Sequence, residues 1–350
     1  MNQPSSLEII VLGLELSKTN LELSKEEAIL SLKIYFEEYS FELYDSLLII
    51  NIQTNQTNLT LESISKRIRK WLDRLAFTKA AFQILGRAKT SEDLLKQIIK
   101  GQISFDSFIS WKKKGTFRIT SKNLLHEKRP IQVIDFAKAI SLYKDLGKVN
   151  LTNPDIDFTV LKGKEVWIGI KLWSQKDMFE NRRSHLLAAP HPTGMSPRLA
   201  RAMINLACAE KELLDPFCGA GGILIEGSLI GLNSIGIDFS KEMIHRAHLN
   251  TSQFENIDLF EQDALMWTKE VECVVTDVPY GKSSKLDQDL KQLILKFLEV
   301  YSNLTNTIVL CCPKTLKIRQ LLKKTSWKVE FECDVYVHSS LTRNIVLLKN

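Results

Sequence analysis

Leu213-Leu214-Asp215-Pro216-Phe217-Cys218-Gly219-Ala220-Gly221-Gly222 is the stretch on which the reading of the fold turns. An apolar strand ends on an aspartate, a glycine turn follows, and residues 223–230 read as a helix. Glycine lacks a Cβ, so it serves where a backbone must turn sharply and approach a ligand closely. The next strand to end on a carboxylate is Ile235-Gly236-Ile237-Asp238, 23 residues after Asp215. That layout is the one a nucleotide-binding α/β unit requires: one glycine turn beside the ligand and one acidic residue for ribose hydroxyls. A Gly-Ala-Gly-Gly loop by itself is weak evidence. A second motif two strands further on strengthens it.

The second motif is Thr276-Asp277-Val278-Pro279-Tyr280-Gly281, at the exit of the apolar run 271–275. An aspartate, a proline and an aromatic at a strand end suit the holding of a planar exocyclic amine. The lone pair of such an amine is delocalised into its ring, which makes it a poor nucleophile. The Asp277 carboxylate and a backbone carbonyl of the turn can accept its two N–H groups. They localise the lone pair and offset the positive charge that grows as an N–C bond forms. Tyr280 would stack on the base.

Outward from these motifs, strands are expected at 212–215, 234–238, 257–262, 271–276 and 306–311. Helices are expected at 222–231, 240–250, 286–304 and 314–325, and two strand-like segments, 328–336 and 344–348, close the chain. The alternation predicts a doubly wound sheet with an antiparallel edge and the ligand at the strand carboxyl ends. Ser196-Pro197 supplies an N-cap and a proline at the first helical position, predicting a helix to 209. Residues 173–190 have no period and read as a linker. At the N-terminus, 7–16 and 47–52 read as strands, and 24–39 (capped by Ser24) and 61–72 as helices. Further on, 91–99 and 131–143 read as helices, 111–119 as a basic turn running into a strand, and 149–151, 156–161 and 165–171 as strands.

The charge is unevenly placed. Residues 71–170 carry 18 basic and 10 acidic groups, whereas residues 1–70 carry 7 and 10. Trp111, Phe117, Arg118 and Lys122 interleave with Lys112-Lys113-Lys114, a pattern for phosphate contact and stacking. A solvated lysine face over an aromatic core is the alternative. The six cysteines, Cys208, Cys218, Cys273, Cys311, Cys312 and Cys333, form no C-x-x-C pair, so neither a disulfide framework nor a metal site is expected. No apolar run reaches the ~20 residues of a membrane span, and no signal peptide is legible, so a cytoplasmic protein is expected.

The Asp-Pro-Phe-Cys-Gly-Ala-Gly-Gly and Asp-Val-Pro-Tyr motifs together resemble those of S-adenosylmethionine-dependent amino-methyltransferases. The stretch His191-Pro192-Thr193-Gly194-Met195-Ser196-Pro197-Arg198-Leu199-Ala200-Arg201-Ala202-Met203 more narrowly resembles the THUMP-containing tRNA guanine-N2 methyltransferases, especially the archaeal enzymes acting on guanosine 10. The C-terminal Tyr336-Val337-His338-Ser339-Ser340-Leu341-Thr342-Arg343 is similar to that group too. The resemblance is tight over 190–281 and loose over 1–170.

The resemblance implies an α/β chain with an N-terminal ferredoxin-like domain (1–72), a THUMP RNA-binding domain (73–172), a linker (173–190) and a Rossmann-like methyltransferase domain (191–350). It implies S-adenosyl-L-methionine as cofactor, held by Thr193, Asp215, Phe217, Gly219, Gly221, Asp238, Asp263 and Ala264. Asp277, Pro279 and Tyr280 would be catalytic, and no metal is called for. Lys112, Lys113, Lys114, Arg118 and Lys122 would contact tRNA. Val278 departs from the family's Asp-Pro-Pro-Tyr, which bears on rate more than on reaction type. A monomer is expected. A small activating subunit stays open, as do an adenine or cytosine amino-methyltransferase and a tRNA-binding protein without catalysis. A NAD-binding dehydrogenase leaves Asp277–Tyr280 unexplained.

Overall fold

The structure, a computed structural model, describes residues 9–54, 60–105, 115–125, 131–143, 146–192, 194–279, 284–339 and 341–350, with the side chains of 284–289 outside that description. The chain divides into two compact units. One comprises residues 1–21, 35–73 and 78–176; the other comprises 22–34, 74–77 and 177–350.

The first unit is built on one eight-stranded sheet: β1 (Ile9–Leu16), β2 (Tyr39–Tyr44), β3 (Leu47–Gln53), β4 (Thr78–Ala88), β5 (Gly115–Asn123), β6 (Leu146–Val149), β7 (Ile156–Lys162) and β8 (Val166–Ser174). Their order is β2-β3-β1-β4-β8-β7-β5-β6. β1 pairs antiparallel with both β3 and β4, and β4 pairs with β8, so the sheet runs unbroken past residue 72. β2 and β4 are absent from the sequence-based expectation.

The helices of the N-terminal half are α1 (Leu21–Leu32), α2 (Leu61–Arg74), α3 (Ser91–Ile99) and α4 (Val133–Ile140). α1 differs from the expected 24–39. It starts three residues earlier, ends at Leu32, and buries Ser24 instead of using it as a cap.

The second unit carries the seven-stranded sheet. Its strands are β9 (Glu212–Asp215), β10 (Asn233–Asp238), β11 (Ile257–Glu261), β12 (Val274–Asp277), β13 (Thr307–Pro313), β14 (Lys328–His338) and β15 (Leu341–Lys349), ordered β11-β10-β9-β12-β13-β15-β14. β9 to β13 are mutually parallel, whereas β15 is antiparallel to both β13 and β14. The expected antiparallel edge is therefore a strand inserted one place in from the rim.

Helices α5 (Pro197–Leu206), α6 (Gly222–Leu229), α7 (Lys241–Thr251), α8 (Ser284–Tyr301) and α9 (Ile318–Leu322) complete the unit. Ser196 caps α5 by accepting from the Leu199 N–H, with Pro197 in the first turn, as the sequence predicts. The sheet is covered on both faces. Leu213, Val275, Val309, Cys311, Ile345 and Leu347 belong to one buried cluster, and Leu214, Val274, Ile308, Leu310, Val346 and Leu348 to another. That alternation explains why its strands read as unbroken apolar runs.

α1 and residues 74–77 belong to this second unit through one buried carboxylate. Glu27 accepts the N–H groups of Ala76 (2.6 Å) and Phe77 (2.9 Å) and an Asn205 Nδ2–H at 2.7 Å. The Arg74 guanidinium donates to Asn205 Oδ1 (2.7 Å) and to the Ala209 carbonyl (3.1 Å). Burial pushes the Glu27 carboxyl up, and these donors oppose the shift. A buried carboxylate with three donors is satisfied, so the network fixes where the early helix docks.

Candidate functional site

β9 is the point where the sheet's winding reverses, with β10 and β11 on one side and β12 and β13 on the other. In such sheets a crevice opens at the carboxyl ends of the strands. A cavity of about 450 Å³ lies there, lined among others by Asp215, Phe217, Gly219, Asp238, Asp277 and Pro279.

The glycine loop owes its shape to Gly219 (φ +51°) and Gly221 (φ +87°), conformations that side chains strain to adopt. A Cβ on Gly219 would meet no atom within 4 Å, so the loop faces open space where a ligand can approach the backbone. Asp238, half-buried at the end of β10, steadies the loop by accepting the N–H of Gly219 (3.0 Å) and of Ser240 (2.8 Å). A carboxylate offers about four acceptor positions. Asp238 therefore retains capacity for a pair of hydroxyls.

Asp215 is 1% exposed. Thr276 Oγ1 donates to its Oδ1 at 2.6 Å and the Phe217 N–H at 3.2 Å. Burial pushes its carboxyl up to about 7; the negative charges of Asp277 and Asp238 add to that, while the Thr276 and Phe217 hydrogen bonds oppose it. A carboxyl poised near neutrality beside a cavity can respond to a cation.

Asp277 ends β12, paired across the ladder with Cys311 of β13. The Val278 N–H donates to the Cys311 carbonyl at 3.0 Å, a bond that proline at this position could not make. The valine thus extends the ladder by one residue where the resemblance would place a rigid ring. Pro279 follows, exposed, at the cavity's rim. Tyr280 lies outside the described residues, as do Thr193 and Lys112, Lys113 and Lys114. His191 and Gly194, which flank Thr193, both line the cavity.

Gly221, Asp263 and Ala264 are not among the residues lining the cavity. Gly221 acts one step back, as the left-handed N-cap of α6. The exposed Asp263 carboxylate caps the short turn after β11 by accepting the Leu265 N–H at 2.9 Å. Buried Ala264 accepts the Tyr301 hydroxyl at 3.0 Å through its carbonyl. In the first unit, Arg118 pairs with Asp157 at 2.7 Å and Lys122 with Glu15 at 2.5 Å.

Three contributors to the cavity escape a reading of motifs. Phe239, 76% exposed, stands on its wall directly after Asp238, an apolar face offered to solvent. Asn250 of α7 is buried and joins the segment before the site to the glycine loop. It accepts from the Ala189 N–H (2.7 Å) and donates to the carbonyls of Ala189 (3.2 Å) and Ala220 (2.9 Å). Glu226 of α6, also on the wall, holds Arg201 and Arg182 at 2.7 Å each. Only Phe239 had a signal in sequence, its place after a strand-end acid.

A doubly wound sheet with these carboxylates around one crevice is the architecture of a methyltransferase, and comparison with known proteins agrees. A family model described as "RMKL-like, methyltransferase domain" matches residues 187–344, and one described as "DNA methylase" matches 37–249. The tRNA (guanine(10)-N2)-dimethyltransferase of Pyrococcus abyssi is 29% identical over 79% of this chain and 85% of its own length. A probable tRNA (guanine(10)-N2)-dimethyltransferase of Methanothermococcus thermolithotrophicus is 31% identical over 98% of its length and 43% of this chain. The crystal structure of TrmN from Thermus thermophilus, 18% identical, superposes with a TM-score of 0.50 over 97% of this chain and 99% of that one, so the mixed α/β fold is common to both. The chain belongs to the tRNA guanine-N2 methyltransferase family. Its cofactor is S-adenosylmethionine, and the open space over Gly219 together with the Asp238 carboxylate suits that group.

Proposed function

We propose that this enzyme methylates the N2 amine of guanosine 10 in tRNA, adding up to two methyl groups. The observation that carries the reading is the placement of Asp277 and Pro279 on the cavity that also holds the glycine loop and Asp238. The dimethyltransferase names of the archaeal relatives supply the position and the second methyl group.

When bound, S-adenosylmethionine supplies a methyl group already activated by a positively charged sulfur. Asp215, Phe217 and Gly219 would hold its amino-acid end, Asp238 its ribose hydroxyls, and exposed Phe239 its adenine face. Asp277 and the Pro279 carbonyl would accept the two N–H groups of guanine and orient the nitrogen lone pair, with Tyr280 stacked on the ring. A base inside a folded RNA must leave its stack to reach this crevice. The extrusion would draw on contacts made elsewhere on the RNA.

Those contacts fall to the first unit, whose residues come from the stretches read in sequence as ferredoxin-like (1–72) and THUMP (73–172). Arg87, Lys89, Lys96 and Lys100 line a hollow of about 540 Å³ at the end of β4 and along α3 together with Asp93 and Glu165, and that excess of cations supports a phosphate-binding face. Arg118 and Lys122 would add to it only by leaving Asp157 and Glu15. The enzyme would act as a cytoplasmic monomer. Among the described residues no helix is long and apolar enough to cross a membrane.

Incubation of unmodified tRNA transcripts with the enzyme and labelled S-adenosylmethionine, followed by nucleoside analysis, tests the proposal. N2-methylguanosine and N2,N2-dimethylguanosine mapped to position 10 are expected; label in adenosine or cytidine would refute it.

Asp215 gives a second prediction. The positive end of the cofactor favours the ionised carboxyl, and the free group titrates near 7. Binding at pH 6 should release close to one proton, and affinity should fall about tenfold per pH unit below 7. Calorimetry in buffers of different ionisation enthalpy measures the proton count, and Asp215→Asn should abolish it.

A further inference from the structure

Arg343 of β15 is a cation where the sheet would otherwise be apolar. Its side chain is 8% exposed, and its Nη2 lies 3.1 Å from Oδ2 of Asp277, itself 18% exposed. Strand parity explains the meeting. Asp277 pairs with Cys311 and Cys311 with Ile345, while Arg343 lies two residues from Ile345 on the same face, opposite Pro313. The long side chain reaches back across Cys311 to the strand end. The Cys311 thiol registers both groups: burial pushes it up, the Asp277 charge adds to that, and the Arg343 charge opposes it.

Replacing a buried ion pair by apolar residues is often neutral or stabilising, so fold stability alone is a poor reason for this arginine. The surroundings suggest a better one. The Asp277 charge is felt by Asp215 of β9 and by the Cys311 and Cys312 thiols of β13, and Arg343 of β15 brings a cation to it. Repulsion between the neighbouring Asp215 and Asp277 carboxylates favours taking up a proton. A protonated Asp277 would lose its charge and turn one oxygen into a donor facing an amine that is itself a donor, which weakens the grip.

We propose that Arg343 is the positioning residue for Asp277, fixing the orientation of its carboxylate and keeping it an acceptor during methyl transfer. The inference rests on the reading of Asp277 as the amine grip.

Arg343→Met, Arg343→Gln and Arg343→Lys test it. Removing the cation raises the pH at which Asp277 takes up its proton, so the acid limb of the kcat–pH profile should move upward by about one unit or more. In Arg343→Met and Arg343→Gln, kcat at pH 7 should fall about 100-fold, with KM for tRNA and Kd for S-adenosylmethionine within about threefold of the parent. Arg343→Lys should return the limb toward its original position. A kcat loss with an unmoved limb, or equal defects in the lysine and glutamine variants, overturns the proposal. Should Arg343→Met fail to fold, Arg343→Gln, which keeps a polar stem, carries the same readout. Asp277→Ala separates the two readings: full activity there defeats the amine grip itself, whereas an inactive Asp277→Ala beside an unmoved limb in Arg343→Gln defeats only the role of Arg343.

Discussion

Asp277→Ala is expected to lower kcat for tRNA methylation by about 10³-fold while leaving KM for tRNA and the affinity for S-adenosylmethionine within a few-fold. The amine is neutral when it arrives and acquires positive charge only as the N–C bond forms. A carboxylate beside it therefore gains most of its interaction energy in the transition state, and removing it costs rate more than binding. Partial burial strengthens the effect, because little water remains to take the carboxylate's place. Asp277→Asn keeps one acceptor and loses the charge, so an intermediate loss is expected. Single-turnover methyl transfer at saturating enzyme measures the step directly. An alanine variant within tenfold of the parent would remove Asp277 from the mechanism. One further consequence is specific to this cluster. The Asp277 charge helps hold the Asp215 carboxyl up. In Asp277→Ala, the proton release that accompanies cofactor binding should therefore shift to lower pH.

The catalytic half of the chain was legible because its signals are local. An apolar run ending on Asp215, Asp238 or Asp277 is a parallel strand with an acid at its carboxyl end, and a glycine turn follows the first and a Ser240-capped helix the second. β4 was not legible for the opposite reason. Thr-Lys-Ala-Ala-Phe-Gln-Ile-Leu-Gly-Arg-Ala holds several weak strand formers, and its identity comes from pairing with β1 and β8. β2 is an edge strand with almost no burial, so no apolar face marks it. The membership of α1 in the second unit rests on Glu27, Arg74 and Asn205, residues far apart in sequence whose complementarity exists only after folding. Asp263 stands after a strand as the motif asks, and its carboxylate also accepts the Leu265 N–H, a local engagement that spacing does not announce. Spacing cannot reveal where a side chain finds its partner.

The largest stability effect is expected from Glu226→Ala. Glu226 and Arg201 are 1% and 2% exposed, 2.7 Å apart, and Arg182 closes on the same carboxylate from the cavity side. Asp177 pairs with Arg182 at 2.6 Å but stands 3.7 Å from Arg201. Arg201 therefore depends on Glu226 for most of its compensation. Burial pulls the Arg201 guanidinium down, and the Glu226 and Asp177 charges oppose that pull. The Phe179 ring, with the guanidinium carbons of Arg182, Arg198 and Arg201 at 5.1, 4.7 and 5.5 Å, adds a weaker attraction that cannot neutralise charge. Removing the carboxylate should cost about 3–5 kcal/mol, a fall in melting temperature on the order of 10 °C. The cost arises from the cation left behind more than from the bond lost. Glu226→Met combined with Arg201→Met should then recover most of the stability, whereas Glu226→Met alone should not. Thermal melts of the two single variants and the double variant separate these cases. Equal melting temperatures for Glu226→Met and the parent would mean that Asp177 suffices to hold Arg201. The same melts with S-adenosylmethionine added should show a smaller ligand-induced rise in Glu226→Ala, because Glu226 and Arg182 line the cavity that binds it.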